Sequence, residues 1–184
     1  VVDEFDMLAG PASVRVPTDV NTIAEAIDAA SPGDIISIAA GTYAESLTVD
    51  KNLLLIGAGA GLTNIQGAGG DVITVSAAVS LRDVTVTGGS KENDELGNGI
   101  WVTAGASLDL RNVHVVDNQK NGVGFKRTYG GPRNTVFVLN SLIESNNADG
   151  INLARTEGQI LNSQLVSNSD DGIDFDGDTD DVVK

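Results

Sequence analysis

The chain of 184 residues carries a formal net charge of −15, 22 glycines, no cysteine and only seven aromatic side chains. That length suits one domain with a real core, and the missing cysteine excludes disulfides and thiolate metal sites. The acidity argues for no nucleic acid as partner, because phosphate recognition needs clustered Lys and Arg, and no apolar run approaches the ~20 residues needed for membrane insertion.

Asn21 to Ala30 reads as the one good helix. Val20, Ile23, Ala24 and Ile27 follow the spacing of an amphipathic helix, Thr22 with Glu25 fits a capping box, and Ser31-Pro32-Gly33 stops the run. The stretches that follow, Ile35 to Ile38, Leu47 to Val49, Leu53 to Ile56 and Val72 to Val75, are short β-rich runs separated by Gly, Asn and Asp. Gly57 to Gly61 alternates glycine with alanine after a strand, but no helix pattern opens behind it, so it reads as a turn and not as a phosphate loop. His114 lies between valines and reads as an exterior strand residue, since metal sites want clustered partners. Tyr43 is expected to pack against the first coils.

A repeat organises the second half. Its phase is set by Gly99, Gly122, Gly150 and Gly172, which are 23, 28 and 22 residues apart. Upstream of each glycine an Asx recurs inside a strand segment, at Asp83, Asn112, Asn140 and Asn162. A second asparagine stands four residues before the glycine at Asn118, Asn146 and Asn168, and an apolar-x-apolar triplet follows each glycine. Such a unit cannot bury its own inner face, so it must stack on its copies. Stacking at strand spacing predicts vertical files of asparagine that hydrogen-bond from coil to coil.

With this pattern over residues 14–176, the chain resembles the right-handed parallel β-helices of the pectin-lyase-like superfamily. The front segment, through Gly41-Thr-Tyr-Ala-Glu45 to Leu55-Ile-Gly-Ala-Gly59, is similar to the opening of pectin methylesterases. The resemblance implies an all-β, single-stranded solenoid of six or seven coils with one N-terminal α-helix capping the first coil. The expected organisation is an extension at 1–13, the solenoid at 14–176 and an acidic tail at 177–184. The catalytic motifs of pectin methylesterases are missing: no Gln-Asp pair occurs, and the single tryptophan, Trp101, follows Ile100. The Gly-His-Gly of polygalacturonases is missing as well, leaving only Asp170-Asp171 in common.

Alternation after each glycine points residues +1 and +3 inward and +2 outward. The outward row is then Trp101, Gly124, Asn152 and Asp174, with Lys126, Arg127 and Arg155 just beyond it. These are the candidate substrate-binding residues (Trp101, Asn152, Asp174) and catalytic residues (Lys126, Arg127, Arg155), because an aromatic ring stacks on a sugar and a base with a charge neutraliser serves a uronate. In similar β-helix lyases calcium shares that task. Here Asp174, Asp176, Asp178 and Asp180 alternate as hard oxygen ligands for calcium, against the other reading of an acidic solubilising terminus. The expected function is a secreted or cell-surface domain that binds or processes a polysaccharide, with a calcium-assisted uronate lyase or epimerase as the enzymatic form. The alternative is a non-catalytic structural or adhesive solenoid. Phe175 closes the last recognisable coil, and no cap follows in the sequence, so end-to-end self-association or further domains of a longer protein are expected to cover it.

Overall fold

The computed structural model describes residues 12–91, 96–127 and 131–175, together with the backbone of Val182–Val183. A first strand, β1 (Val14–Val16), and one helix, α1 (Ile23–Ala29), precede six three-stranded coils. The first coil is β2 (Ile35–Ile38), β3 (Gly41–Ala44) and β4 (Leu47–Val49), and the second is β5 (Leu53–Ile56), β6 (Thr63–Gln66) and β7 (Ile73–Val75). The third comprises β8 (Ala78–Arg82), β9 (Thr85–Thr87) and β10 (Ile100–Val102), and the fourth β11 (Ser107–Arg111), β12 (His114–Val116) and β13 (Val123–Phe125). The fifth holds β14 (Asn134–Leu139), β15 (Leu142–Glu144) and β16 (Ile151–Leu153), and the sixth β17 (Thr156–Leu161), β18 (Gln164–Val166) and β19 (Ile173–Phe175). A two-residue strand, β20 (Val182–Val183), follows.

All strand pairs are parallel and join coil to coil, so the strands file into three sheets. Sheet A runs β1-β2-β5-β8-β11-β14-β17-β20, sheet B runs β3-β6-β9-β12-β15-β18, and sheet C runs β4-β7-β10-β13-β16-β19. This is the all-β solenoid expected from the repeat. Alternate residues point into the tube: Val123 and Phe125 of β13, Ile143 of β15, and Ile151 and Leu153 of β16 are all buried. Their columns of Val, Ile and Leu form one continuous core, which is why the short strands carry β-branched residues at every second position.

The corners explain the recurrent Asx. Between sheets A and B the chain turns on a single left-handed residue, Asp83, Asn112, Asn140 or Asn162, with φ between 48° and 56°. Asn and Asp tolerate this conformation better than other non-glycine residues. Their side chains link the coils, with Asn112 donating to Asp83 and Asn162 donating to Asn140. Between sheets B and C a second file forms, in which Asn118 Nδ2 donates to Asn146 Oδ1 and Asn146 Nδ2 to Asn168 Oδ1, each at 2.9 Å. The two predicted asparagine files are therefore present. The B–C file satisfies amides buried inside the turns, Asn118 and Asn146, where an unpaired amide would be costly, whereas the A–B corner asparagines are exposed.

The helix starts later and ends earlier than its sequence run. Thr22 is its N-cap, and the capping box with Glu25 is complete. Its buried face is Ile23, Ala26 and Ile27, whereas the expected Ala24 is exposed. A two-turn helix offers one narrow stripe to the coil end, and Ala24 falls on the side where its N–H meets Glu45. The Glu45 carboxylate accepts from the N–H groups of Ile23 and Ala24 at 3.0 and 2.9 Å. At the other end Lys51 Nζ donates to the carbonyls of Ile27, Asp28 and Ala30. Both pairings match the helix dipole and fasten the cap to the first coils. Tyr43 is half-buried and donates its hydroxyl to the Ala39 carbonyl. The chain does not stop pairing at Phe175, because β20 lies parallel to β17 in sheet A.

Candidate functional site on the outer face of sheet C

Register places the outward row of sheet C in one file. Thr48, Thr74, Trp101, Gly124, Asn152 and Asp174 are successive partners across β4, β7, β10, β13, β16 and β19. Adjacent members are about 4.8 Å apart. The three sequence candidates Trp101, Asn152 and Asp174 are thus aligned along the solenoid axis.

Gly124 decides how the tryptophan lies. A Cβ at this position would stand 2.8 Å from Trp101 Cε3 and 2.9 Å from Cζ3. The indole therefore rests flat over the backbone of the coil above it, with Gly124 buried underneath and Trp101 half-buried. A flat, half-covered indole turns its remaining π-face outward, the geometry that suits an apolar ring face. Lys120, from the turn between β12 and β13, places Nζ 5.9 Å from the Trp101 ring centroid.

Two coils along the file the character changes to acid and amide. Asn152 Nδ2 donates to Asp149 Oδ2 at 3.0 Å and to Asp174 Oδ2 at 2.9 Å. Asp149 is buried, and its Oδ1 also accepts the backbone N–H of Asp171 at 3.2 Å. One amide thus fixes two carboxylates while a backbone N–H fixes the first from the coil above. Carboxylate oxygens of Asp149, Asp170 and Asp171 all lie within 4.8 Å of one another. Hard oxygen donors at that separation match the demands of a divalent cation such as calcium.

The remaining sequence candidates flank this file. Lys126 and Arg127 directly follow β13 and are exposed, with the Lys126 N–H bonded to the Val102 carbonyl. Arg155 occupies the short turn between β16 and β17 with φ 48°, and its Nη2 donates to the Gly131 carbonyl at 3.0 Å. That contact ties the coil corner to the 131–133 segment. Asp176, Asp178 and Asp180 lie outside the described residues. His114 is half-buried on the outer side of sheet B between Thr85 and Leu142, and Gly57 to Gly61 forms a turn in which the Ala58 N–H donates to Thr63 Oγ1.

Sequence reasoning passed over Lys120 and Asp149. The signal for Asp149 was in the repeat phase, since the positions just before the repeat glycine form their own file of Asn98, Asn121, Asp149 and Asp171. It also passed over a groove of about 750 Å³ on the outside of sheet A. There Asp109 pairs with Arg111 at 3.1 Å, and the Arg111 guanidinium stacks over Phe137 at 5.0 Å. Of the two carboxylates that line the groove, Asp109 is thus engaged by Arg111, while Glu157 is exposed.

No protein-family model and no curated protein sequence matches the chain. Solved structures do match. A pectin methylesterase variant in complex with a hexasaccharide shares 20% identity and a TM-score of 0.52 over 82% of this chain, which spans 56% of that one. The pectin methylesterase PemA from Erwinia chrysanthemi has 17% identity and a TM-score of 0.53, covering 89% of this chain and 67% of that one. The pectin methylesterase from Aspergillus niger, in its deglycosylated form, has 14% identity and a TM-score of 0.57, with 95% and 85% covered. In fold, the chain is a right-handed parallel β-helix of the pectin-lyase-like type.

Proposed function

We propose that the outer face of sheet C binds a polysaccharide, laid along the file from Trp101 to Asp174, in a protein that works outside the cell or at its surface. The observation that carries this reading is the indole held flat on Gly124, with an ammonium beside it and a bridged pair of carboxylates two coils away. The same-fold neighbour bound to a hexasaccharide supports a carbohydrate ligand for such a solenoid. Trp101 supplies the stacking platform, Lys120 a positive charge for an anionic sugar, and Asn152 with Asp174 hydrogen bonds to hydroxyl groups.

For a uronate substrate the reaction class proposed is proton abstraction beside the carboxylate, as in a lyase or epimerase. Lys126 or Arg127 would act as base and charge neutraliser, and Arg155 would hold the adjoining segment through Gly131. Calcium, held by Asp149, Asp170 and Asp171 or by Asp174 with the tail aspartates, would neutralise the substrate carboxylate.

Affinity electrophoresis in gels cast with pectate, alginate or neutral glucan tests the binding. Retardation by at least one polymer is expected, and Trp101→Ala should abolish it; undiminished retardation of the variant would remove the site from sheet C. Ultraviolet absorbance of unsaturated products, followed with calcium and with chelator, then tests the chemistry. A calcium-dependent rise that is lost in Lys126→Ala supports the lyase, whereas binding without any rise assigns the face to adhesion.

A further inference from the structure

We propose that the groove on the outer face of sheet A binds a neutral, linear glycan, at a site separate from the sheet C face and independent of the reading given to that face. The groove follows from the register. Leu54, Ser80, Asp109, Phe137 and Gln159 are successive outward partners across β5, β8, β11, β14 and β17. Four steps at strand spacing make this file about 19 Å long. Leu54 stands towards one end and Phe137 towards the other. Between them the third coil carries only Ala78 and Ser80 on this face, and the fourth sets Ser107 beside Asp109. The face is hollow where these short side chains lie, and the groove reaches about 750 Å³.

The chemistry of this hollow selects the ligand by exclusion. Every strand of sheet A except β1 and β20 is hydrogen-bonded to a neighbour on both sides. The face therefore has no row of free backbone N–H and C=O groups for an added strand, and a peptide laid there would leave its own amides unpaired. An acyl chain would strip water from Ser80, Asp109 and Gln159 without replacing its hydrogen bonds. An anionic polymer would meet two carboxylates, Asp109 and the exposed Glu157, on a chain of net charge −15.

A neutral glycan has none of these mismatches. Its ring faces are apolar, and its edges carry hydroxyl groups that both donate and accept. Phe137 lines the groove half-buried, and the Arg111 guanidinium, 5.0 Å from the ring centroid, holds it in place as an apolar platform. Arg111 Nε donates to the two Asp109 oxygens at 3.1 and 3.2 Å, which orients the carboxylate and leaves it further lone pairs for hydroxyl donors. Gln159, exposed one coil beyond Phe137, adds an amide donor and acceptor. Ser80 Oγ, on the floor, is shielded and has no hydrogen-bond partner among the described residues, a deficit that a ligand hydroxyl would remove.

Calorimetric titration of the 184-residue chain with cellohexaose, mannohexaose and xylohexaose tests the assignment. At least one should bind. Phe137→Ala should weaken that binding about tenfold, the size expected for losing one aromatic platform. Ala78→Arg fills the hollow from an exposed position and should weaken it as much, which decides the matter should Phe137→Ala fail to fold. Trp101→Ala should leave it unchanged. No binding of any of the three, or binding that outlasts both sheet A variants, overturns the proposal. Loss in Trp101→Ala alone places the glycan on sheet C and overturns it as well. So does an oligolysine peptide that binds in place of every hexasaccharide and is released by Phe137→Ala, since the groove then belongs to a basic protein segment. The sheet C reading fails separately, when retardation in pectate or alginate gels outlasts Trp101→Ala.

Discussion

At the first coil the stack ends beneath α1, whose Ile23, Ala26 and Ile27 close the tube and whose two termini are bonded by Glu45 and Lys51. At the sixth coil Ile160, Leu165 and Ile173 stand half-buried and Phe175 is exposed. A parallel coil is self-templating: its edge presents the N–H, C=O and amide groups that another copy of itself would satisfy. Stopping such a stack takes a different sequence. At the front that change is legible as a switch of apolar spacing from two residues to three and four, with a capping box to fix the helix start. Beyond Phe175 the described backbone, Val182–Val183, continues sheet A.

The largest expected effect contrasts two stacked neighbours of one column. Ile143→Ala removes a fully buried side chain and should cost about 2–5 kcal/mol in urea denaturation. Leu165→Ala, one coil above it, should cost only about 1 kcal/mol in the 184-residue chain, because its side chain is already partly wet. Equal losses would show the last coil to be as closed as the fifth. Next comes the helix clamp. Lys51→Met keeps the aliphatic stem but removes three hydrogen bonds to helix carbonyls, and should lower stability by about 1–2 kcal/mol. An unchanged midpoint would show that apolar contact alone holds the cap.

The smallest effect is alkaline. Burial, helped by the Glu45 charge, raises the Tyr43 hydroxyl above its ordinary 10.0. The folded state therefore favours the neutral phenol. Its contribution is complete below pH 10 and fades as pH rises through the folded-state value. Tyr43→Phe should flatten the stability profile above pH 10 relative to the parent, while losing a constant increment below it with the bond to Ala39. Identical alkaline slopes would place the titration elsewhere.

The solenoid was legible because its determinants are local and repeated. An Asx at a left-handed corner, a glycine under the next coil and apolar alternation each act on the same few residues in every storey, so the pattern survives in the sequence. The outward file of Trp101, Asn152 and Asp174 followed from the same alternation. The helix face was less legible, because a seven-residue helix buries only what the coil beneath it selects, here Ile23, Ala26 and Ile27, and Ala24 falls outside that stripe. The partners of the site were not legible from composition. Lys126, Arg127 and Arg155 stood out as rare cations, yet the ammonium near the indole belongs to Lys120, in a turn whose side-chain direction depends on stacking. Asp149 is fixed by Asn152 and by the Asp171 N–H, contacts between coils that no window of one chain segment displays.

The A–B corners have a consequence for how such a molecule varies. From the third to the sixth coil each is two residues long, 83–84, 112–113, 140–141 and 162–163, turning on one left-handed Asx. A single inserted residue there would rotate a whole strand inside out. The connections on either side of sheet C are not held to one length: 88–99 and 126–133 are long where 117–122 and 154–155 are short. From the third coil on, variation in length is thereby confined to the banks of one face, so a new recognition surface can be raised beside Trp101 without disturbing the tube that supports it.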